Sequence, residues 1–288
     1  MADLQQAVND VSGLISLPDV YLRVRGMLNN PKMRMSDFAK TISTDPNISI
    51  RVLRMANSAF FGFARQIDSL TRAISILGTS HLHDLVLGVA AIRSFSNIPN
   101  EIVNTESYWR KSVYCGISAR LIANRLNYLD TDRLFVGGLL HDVGHLLMYH
   151  KFPEESILAI EKSLQEEMPL YLAEREIIGF DYGQVGSELM LRWRLPESYR
   201  ETTELHMEPK ESTKYRLETA IIHLGRYMAS SKEKVAASAL PEEVDPIVWE
   251  ITGLSEEVIE PIMQETDEHV EEVAKLMQPE AEQKVALA

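Results

Sequence analysis

Apolar residues recur every three or four positions almost from end to end of this chain, and no convincing stretch alternates with a period of two. That spacing puts side chains on one face of a helix and argues against a sheet as the scaffold. Trp109, Val113, Ile117 and Leu121 form one stripe, with Arg110, Arg120 and Asn124 on other faces. A second runs from Leu134 through Leu139 and Val143 to Leu147, in a segment apolar nearly all round. Such a helix belongs at the centre of a fold. Pro31, Pro46, Pro99, Pro153, Pro169, Pro196 and Pro209 stand where helices should start or stop. The expected fold is all-α, with ten or more helices and no repeat of fixed period.

The polar stretch 94–101, which contains Pro99, is the best internal boundary. It divides an N-terminal helical lobe, 1–98, from a second helical lobe, 99–236. Residues 237–288 form an acidic extension whose narrow stripe of Thr266, Val270, Val273 and Met277 should pack it onto the body.

The net charge of −13 is concentrated in that extension. Residues 1–240 hold 27 basic and 28 acidic residues, whereas 241–288 hold 2 and 14. A nearly neutral body has no general attraction for phosphate backbones or anionic lipid, so neither nucleic acid nor membrane is an expected partner. The acidic residues read as a solvated helix face. No apolar run is long enough to span a bilayer, and the first residues lack the basic-then-apolar pattern of an export signal. The single cysteine, Cys115, excludes an internal disulfide and a cysteine-rich zinc site. A cytoplasmic protein is expected.

In the first lobe, Thr44 or Asp45 is placed to cap a helix whose first turn holds Pro46, where a missing N–H costs nothing. Asn57-Ser58 should end it, with Gly62 in the turn beyond. A short helix over 36–42 precedes it, so the pair looks like a helix-turn-helix. Arg51 and Arg54 would then be DNA contacts, but the body lacks the basic face such docking needs. Packing inside a helical lobe is the preferred reading.

Several separated motifs resemble the HDOD family in order and spacing. They are Leu17-Pro18, Thr44-Asp45-Pro46, Leu53, Ala56-Asn57-Ser58-Ala59, Phe61-Gly62, Ile67, Leu70, Ala73-Ile74 and Leu77-Gly78. They continue through Trp109, the block from Gly137 to Gly144 containing His141-Asp142, and Trp193-Arg-Leu-Pro196. The resemblance covers about residues 15–215. It implies an all-α fold related to the HD phosphohydrolases, with an N-terminal helical lobe and a degenerate HD lobe, used in bacterial signalling.

His141 and Asp142, adjacent on one expected helix, could begin a site for Mn²⁺ or Fe²⁺. Two ligands are not a site, because octahedral phosphohydrolase centres need more donors and open positions for water. The family pattern takes a His from an upstream helix and an Asp from a downstream one. The matching positions here hold Lys111 and Arg226. Tyr182 stands where a related subgroup has another His, and His206 survives where it has a His pair. The remnant candidates are therefore His141, Asp142 and His206, and the lost positions are Lys111, Tyr182 and Arg226. A guanidinium stays protonated and offers no lone pair. At about 4 Å each unit repulsion is worth about 4 kcal/mol at an effective dielectric near 20. No metal is expected; if one binds, it is Mn, Fe or Mg. Asp142, in the most apolar helix, should instead meet a cation, Arg226 before Lys111.

His145, one turn from His141, is expected to face solvent or cap a carbonyl. His81 and His83 do not share a face, and His150, His223 and His269 have no evident partner. Cys115 should be packed. No phosphate loop, nucleophile elbow or zinc-protease helix is present. The expected function is a non-catalytic signalling or scaffold module that acts through a signalling protein partner. The alternative is a metal-dependent phosphohydrolase acting on a nucleotide or cyclic dinucleotide. Whether a small molecule binds between the lobes stays open.

Overall fold

A computed structural model describes residues 3–277 except 14, 29, 64, 65, 97–101 and 233–242. Among the described residues there are α-helices and short 3₁₀ turns and no strand. The helices are α1 (Leu4–Ser12), α2 (Asp19–Leu28), α3 (Met35–Ile42), α4 (Pro46–Ala56), α5 (Leu70–Leu77) and α6 (Thr79–Phe95). Then come α7 (Thr105–Arg125), α8 (Thr131–Leu140), α9 (Val143–Lys151), α10 (Pro153–Gln165) and α11 (Leu170–Ile177). The last are α12 (Tyr182–Arg192), α13 (Glu197–Leu205), α14 (Arg216–Lys232), α15 (Ile247–Thr252) and α16 (Ile259–Met277).

The chain forms two compact units, one of Met1–Ile15 with Asn97–Asp267, the other of Ser16–Ser96 with Glu268–Ala288. This division differs from bounds drawn in chain order at 1–98, 99–236 and 237–288. Helix α1 groups with the later helices because Asp10 pairs with Lys151 (2.8 Å) and Arg192 reaches Asn9 and the Gln5 carbonyl. Helix α16 belongs to both units. Of the expected boundary at 94–101, Ser94 and Phe95 belong to α6, while 97–101, and 237–242 and 278–288 of the extension, lie outside the described residues.

In the unit that contains α2 to α6, Asp45 caps α4, accepting from the N–H groups of Asn47 and Ile48 at 3.1 Å. Pro46 fills the first turn. Asn57 closes the helix, donating to the Leu53 and Ile67 carbonyls and accepting from the Ile67 N–H at 2.7 Å. Phe38 and Ile42 of α3 and Val52 and Met55 of α4 are buried. The guanidinium of Arg51 approaches the Met277 carbonyl at 3.5 Å. Helix α6, buried over nearly its whole circumference, is the core of this unit.

In the other unit α7 holds that place, and the stripe Trp109, Val113, Ile117 and Leu121 is buried as its spacing predicts. Helix α8 crosses it so closely that a Cβ on Gly138 would lie 2.7 Å from the Gly116 Cα. Cys115 is buried here and reduced. Of the extension's stripe, Thr266 is buried in this unit, and Val270, Val273 and Met277 are buried in the unit that contains α2 to α6. Thr266 meets the Ser118 hydroxyl at 3.1 Å, and Asp267 accepts from Tyr114 (3.2 Å) and pairs with Lys232 (2.8 Å).

Candidate functional site

The segment predicted as one continuous helix is two. Helix α8 ends at Leu140, α9 begins at Val143, and Asp142 has φ −108° and ψ 3° at the break. The close approach of α9 to α12 explains the sequence here: a Cβ on Gly144 would sit 1.8 Å from the Tyr182 carbonyl oxygen. The break lets the Asp142 carboxylate turn back beneath the first turn of α9, where it meets a side chain rather than capping backbone.

That side chain is His145, and its place corrects the expectation of a solvent-facing or carbonyl-capping residue. His145 is buried, with Nδ1 bonded to Asp142 Oδ1 and Nε2 3.0 Å from Glu174 Oε1 on α11. Its ring stacks on Tyr182, with centroids 3.8 Å apart and planes 19° from parallel, and on Tyr149 at 5.1 Å. Glu174 completes the arrangement by accepting the Tyr182 N–H through Oε2 at 3.1 Å. Burial opposes a charged imidazole, but the two carboxylates overcome it and push His145 up to about 9. Asp142 is likewise held far below the usual carboxylate range against its burial, chiefly by His145 and then by Lys111. For Glu174 burial dominates and moves the carboxyl upward.

The counter-charge expected from Arg226 or Lys111 thus comes from His145, whose ring reaches Asp142 across one helical turn. Lys111 is buried on α7 and acts on Asp142 and His141 at longer range. Arg226, half-buried on α14, acts on His141 and His206.

His141, His206 and Tyr182 lie in ring contact beside Asp142, and Lys111 and Arg226 act on this group electrostatically. The rings of His141 and His206 meet edge to face, 5.2 Å apart. His141 Nδ1 donates to the Gly138 carbonyl at 2.6 Å. His206 Nδ1 donates to the Thr203 carbonyl at 2.8 Å, so its Nε2 accepts from the Tyr182 hydroxyl at 3.2 Å. Burial, opposed by Asp142 and reinforced by Lys111 and Arg226, lowers His141 to about 4. Burial, with His141 and Arg226, puts His206 well below the usual histidine range.

Three residues gain roles that their sequence positions did not disclose. Glu174 occupies the apolar stripe Leu170, Ala173, Glu174, Ile177 of α11, and an acid at that register was the readable signal. His223 is partnered on both nitrogens, donating to the His206 carbonyl (2.7 Å) and accepting from the Asp245 N–H (3.1 Å). Arg175 joins Asp181 (2.5 Å) to Glu208 (2.7 Å). Among the described residues no group of three or more His, Cys, Asp or Glu side chains is placed to hold a metal ion. None of the described helices is long and apolar enough to cross a membrane.

An all-α fold carrying a His-Asp pair at a helix junction defines an HD-like helical protein. The HDOD domain profile matches residues 14–209, more than half the chain, and the chain belongs to the HDOD family. An uncharacterised protein from Treponema pallidum (strain Nichols) is 25% identical over 207 residues, 71% of this chain and 39% of that protein. The chain therefore spans well under half the length of that relative. Among solved structures, an HDOD domain protein of unknown function from Geobacter sulfurreducens has a TM-score of 0.72 and 23% identity. The likeness covers 95% of this chain and 96% of that one. A candidate phosphohydrolase from Shewanella amazonensis SB2B has a TM-score of 0.73 and 21% identity, covering 94% and 98%. A candidate signal transduction protein from Marinobacter aquaeolei VT8 gives 0.69 and 21%, covering 96% and 66%. At these identities the structures are alike in fold.

Proposed function

We propose that this HDOD chain is a non-catalytic signalling or scaffold module that acts in the cytoplasm through contacts with a protein partner. The observation that carries the reading is the commitment of the metal-capable groups to one another. Asp142 is paired with His145, His145 has no bare nitrogen, and His206 Nε2 accepts from Tyr182. An imidazolium held between two carboxylates does the electrostatic work of a cation, and Lys111 adds a second positive charge nearby. These residues do not fit a divalent ion, which needs several free anionic or neutral donors and open positions for water. A body near neutrality supports a partner other than nucleic acid or lipid.

Elemental analysis of protein purified without chelators tests this. Well under one equivalent of Mn, Fe or Mg is expected, with no hydrolysis of a nucleotide or cyclic dinucleotide. About one Mn or Fe per chain, lost in Asp142→Ala, would establish the metal-dependent phosphohydrolase instead.

A further inference from the structure

Helix α10 is amphipathic in the inverse sense. It packs against α9 and α11 and buries the small side chains of Ser156, Ala159 and Ser163. Its large apolar residues lie on the outside: Ile157 is 45%, Leu158 53% and Leu164 42% exposed, and Ile160 is half-buried. A single exposed leucine is ordinary on a protein surface. Large apolar side chains gathered outside a helix that is small within mark an interaction surface.

Spacing defines the face. Ile157, Ile160 and Leu164 follow one another at i, i+3 and i+7, the seam of a helix that pairs with another helix. The exposed Glu161 follows Ile157 by one turn, and the exposed Glu154 precedes Leu158 by one turn. The two acids therefore run between the seam and Leu158. The helix has one base, Lys162, and it is engaged by Glu166 (2.9 Å) and Glu176 (3.0 Å).

That charge decides the occupant. A second copy of the chain would set acids against acids, and so would the extension 241–288, with its 14 acidic and 2 basic residues. An anionic lipid surface is repelled in the same way. We propose that this face of α10 is the docking site for a basic amphipathic helix of a partner protein. The partner's apolar seam sits on Ile157, Ile160 and Leu164, and its lysines or arginines meet Glu154 and Glu161. The inference rests on the reading of the chain as a protein-binding module and gives that partner its chemistry.

Calorimetric titration of the full chain tests it, with a synthetic helical peptide that carries Leu at heptad positions a and d and Lys at e and g. Saturable binding is expected, and the same peptide with Glu in place of Lys should bind at least about tenfold more weakly. Ile157→Ser with Leu164→Ser should lose about tenfold or more, because less apolar surface is covered. The melting temperature of that variant should stay close to the parent's, since both side chains already meet water. Glu154→Lys with Glu161→Lys should exchange the preference, so that the Glu peptide binds better. The same reversal at the exposed Glu256 and Glu257 should not exchange it. Absence of saturable binding overturns the proposal, as does equal affinity in the parent and both variants of the face. Dimerisation of the parent that is lost in Ile157→Ser with Leu164→Ser assigns the face to a second copy and overturns it too. A melting temperature lowered by several degrees in that variant assigns the face to the chain itself, with the same consequence. Elemental analysis keeps the two readings apart. Metal-free protein that binds no peptide sinks the docking face alone, and a bound Mn or Fe with the peptide preference intact sinks the metal-free reading alone.

Discussion

His145 on α9 reaches Glu174 on α11 with 3.0 Å between Nε2 and Oε1. Asp142 holds the other ring nitrogen, so a doubly protonated ring satisfies both carboxylates at once. The folded protein therefore retains this proton to about pH 9, whereas the unfolded chain releases it near 6.5.

The stability attached to His145 is fully present below about pH 6.5 and is lost as pH rises through about 9. The shift corresponds to roughly 3 kcal/mol for the coupled group, counting the Asp142 side of the pair once. His141 works in the opposite direction. The unfolded chain protonates it near 6.5 and the folded protein at about 4, so stability falls as pH drops through that interval. Urea melts across pH 4 to 10 should thus give a maximum near pH 6.5 with stability declining on both sides. A flat alkaline limb to pH 10 in the parent, indistinguishable from that of His145→Gln, would contradict the imidazolium.

Removing His145 leaves two buried carboxylates without the imidazolium that bonds them both. His145→Leu should cost about 3–5 kcal/mol, as breaking a buried pair from one side does. Glu174→Gln should cost less, because an amide oxygen still accepts the Tyr182 N–H. The double variant should fall short of the sum of the two by more than about 1 kcal/mol, the coupling of groups in one network. Denaturant titration of the four proteins measures this, and strict additivity would count against direct coupling.

The helical architecture was legible because period and punctuation agree. Asp45, Pro46 and Asn57 each do locally what their positions suggested, and the Trp109 to Leu121 stripe is buried. The site was legible in part. His141, His206 and Tyr182 lie in ring contact beside Asp142, but the pairing within the cluster was not readable. Asp142 needed a cation, and charge alone favoured Arg226 or Lys111. The choice of His145 depends on the break at His141-Asp142, which turns the carboxylate toward the next helical turn. That break lies inside a segment apolar nearly all round, where periodicity is silent. Glu174 comes from a helix whose placement is tertiary, and its sign in the sequence was a single acid in an apolar stripe.

The approach of α9 to α12 predicts a sharp contrast between two glycines. A methyl at Gly144 would collide with Tyr182 backbone, which no rotamer change relieves. Gly144→Ala should destabilise by about 3 kcal/mol or more, through overpacking that forces backbone shifts. Gly26 in α2 has open space around its missing Cβ and lies inside a helix. Gly26→Ala should stabilise by about 0.4–1 kcal/mol, from helix propensity and a less free unfolded chain. Melting temperatures that move together in the two variants would refute the close approach.

Helix α16 gives the last prediction, and it separates a packed element from a free acidic tail. Val273 is fully buried, whereas Glu268 on the same helix is exposed. Around them Glu272 accepts the Ala59 N–H at 3.1 Å and Thr266 meets Ser118. A carboxylate at Val273 would replace a fully buried apolar side chain and lose its hydration. Val273→Asp should therefore cost about 3 kcal/mol or more, while Glu268→Ala should stay within about 0.5 kcal/mol of the parent. Deleting residues 241–288 should lower the melting temperature further, since Val248, Ile262, Val270, Val273 and Met277 all lose burial at roughly 1.5–3 kcal/mol each. An unchanged melting temperature after that deletion, together with a harmless Val273→Asp, would mean that the helix leaves its seat in solution and serves a partner instead.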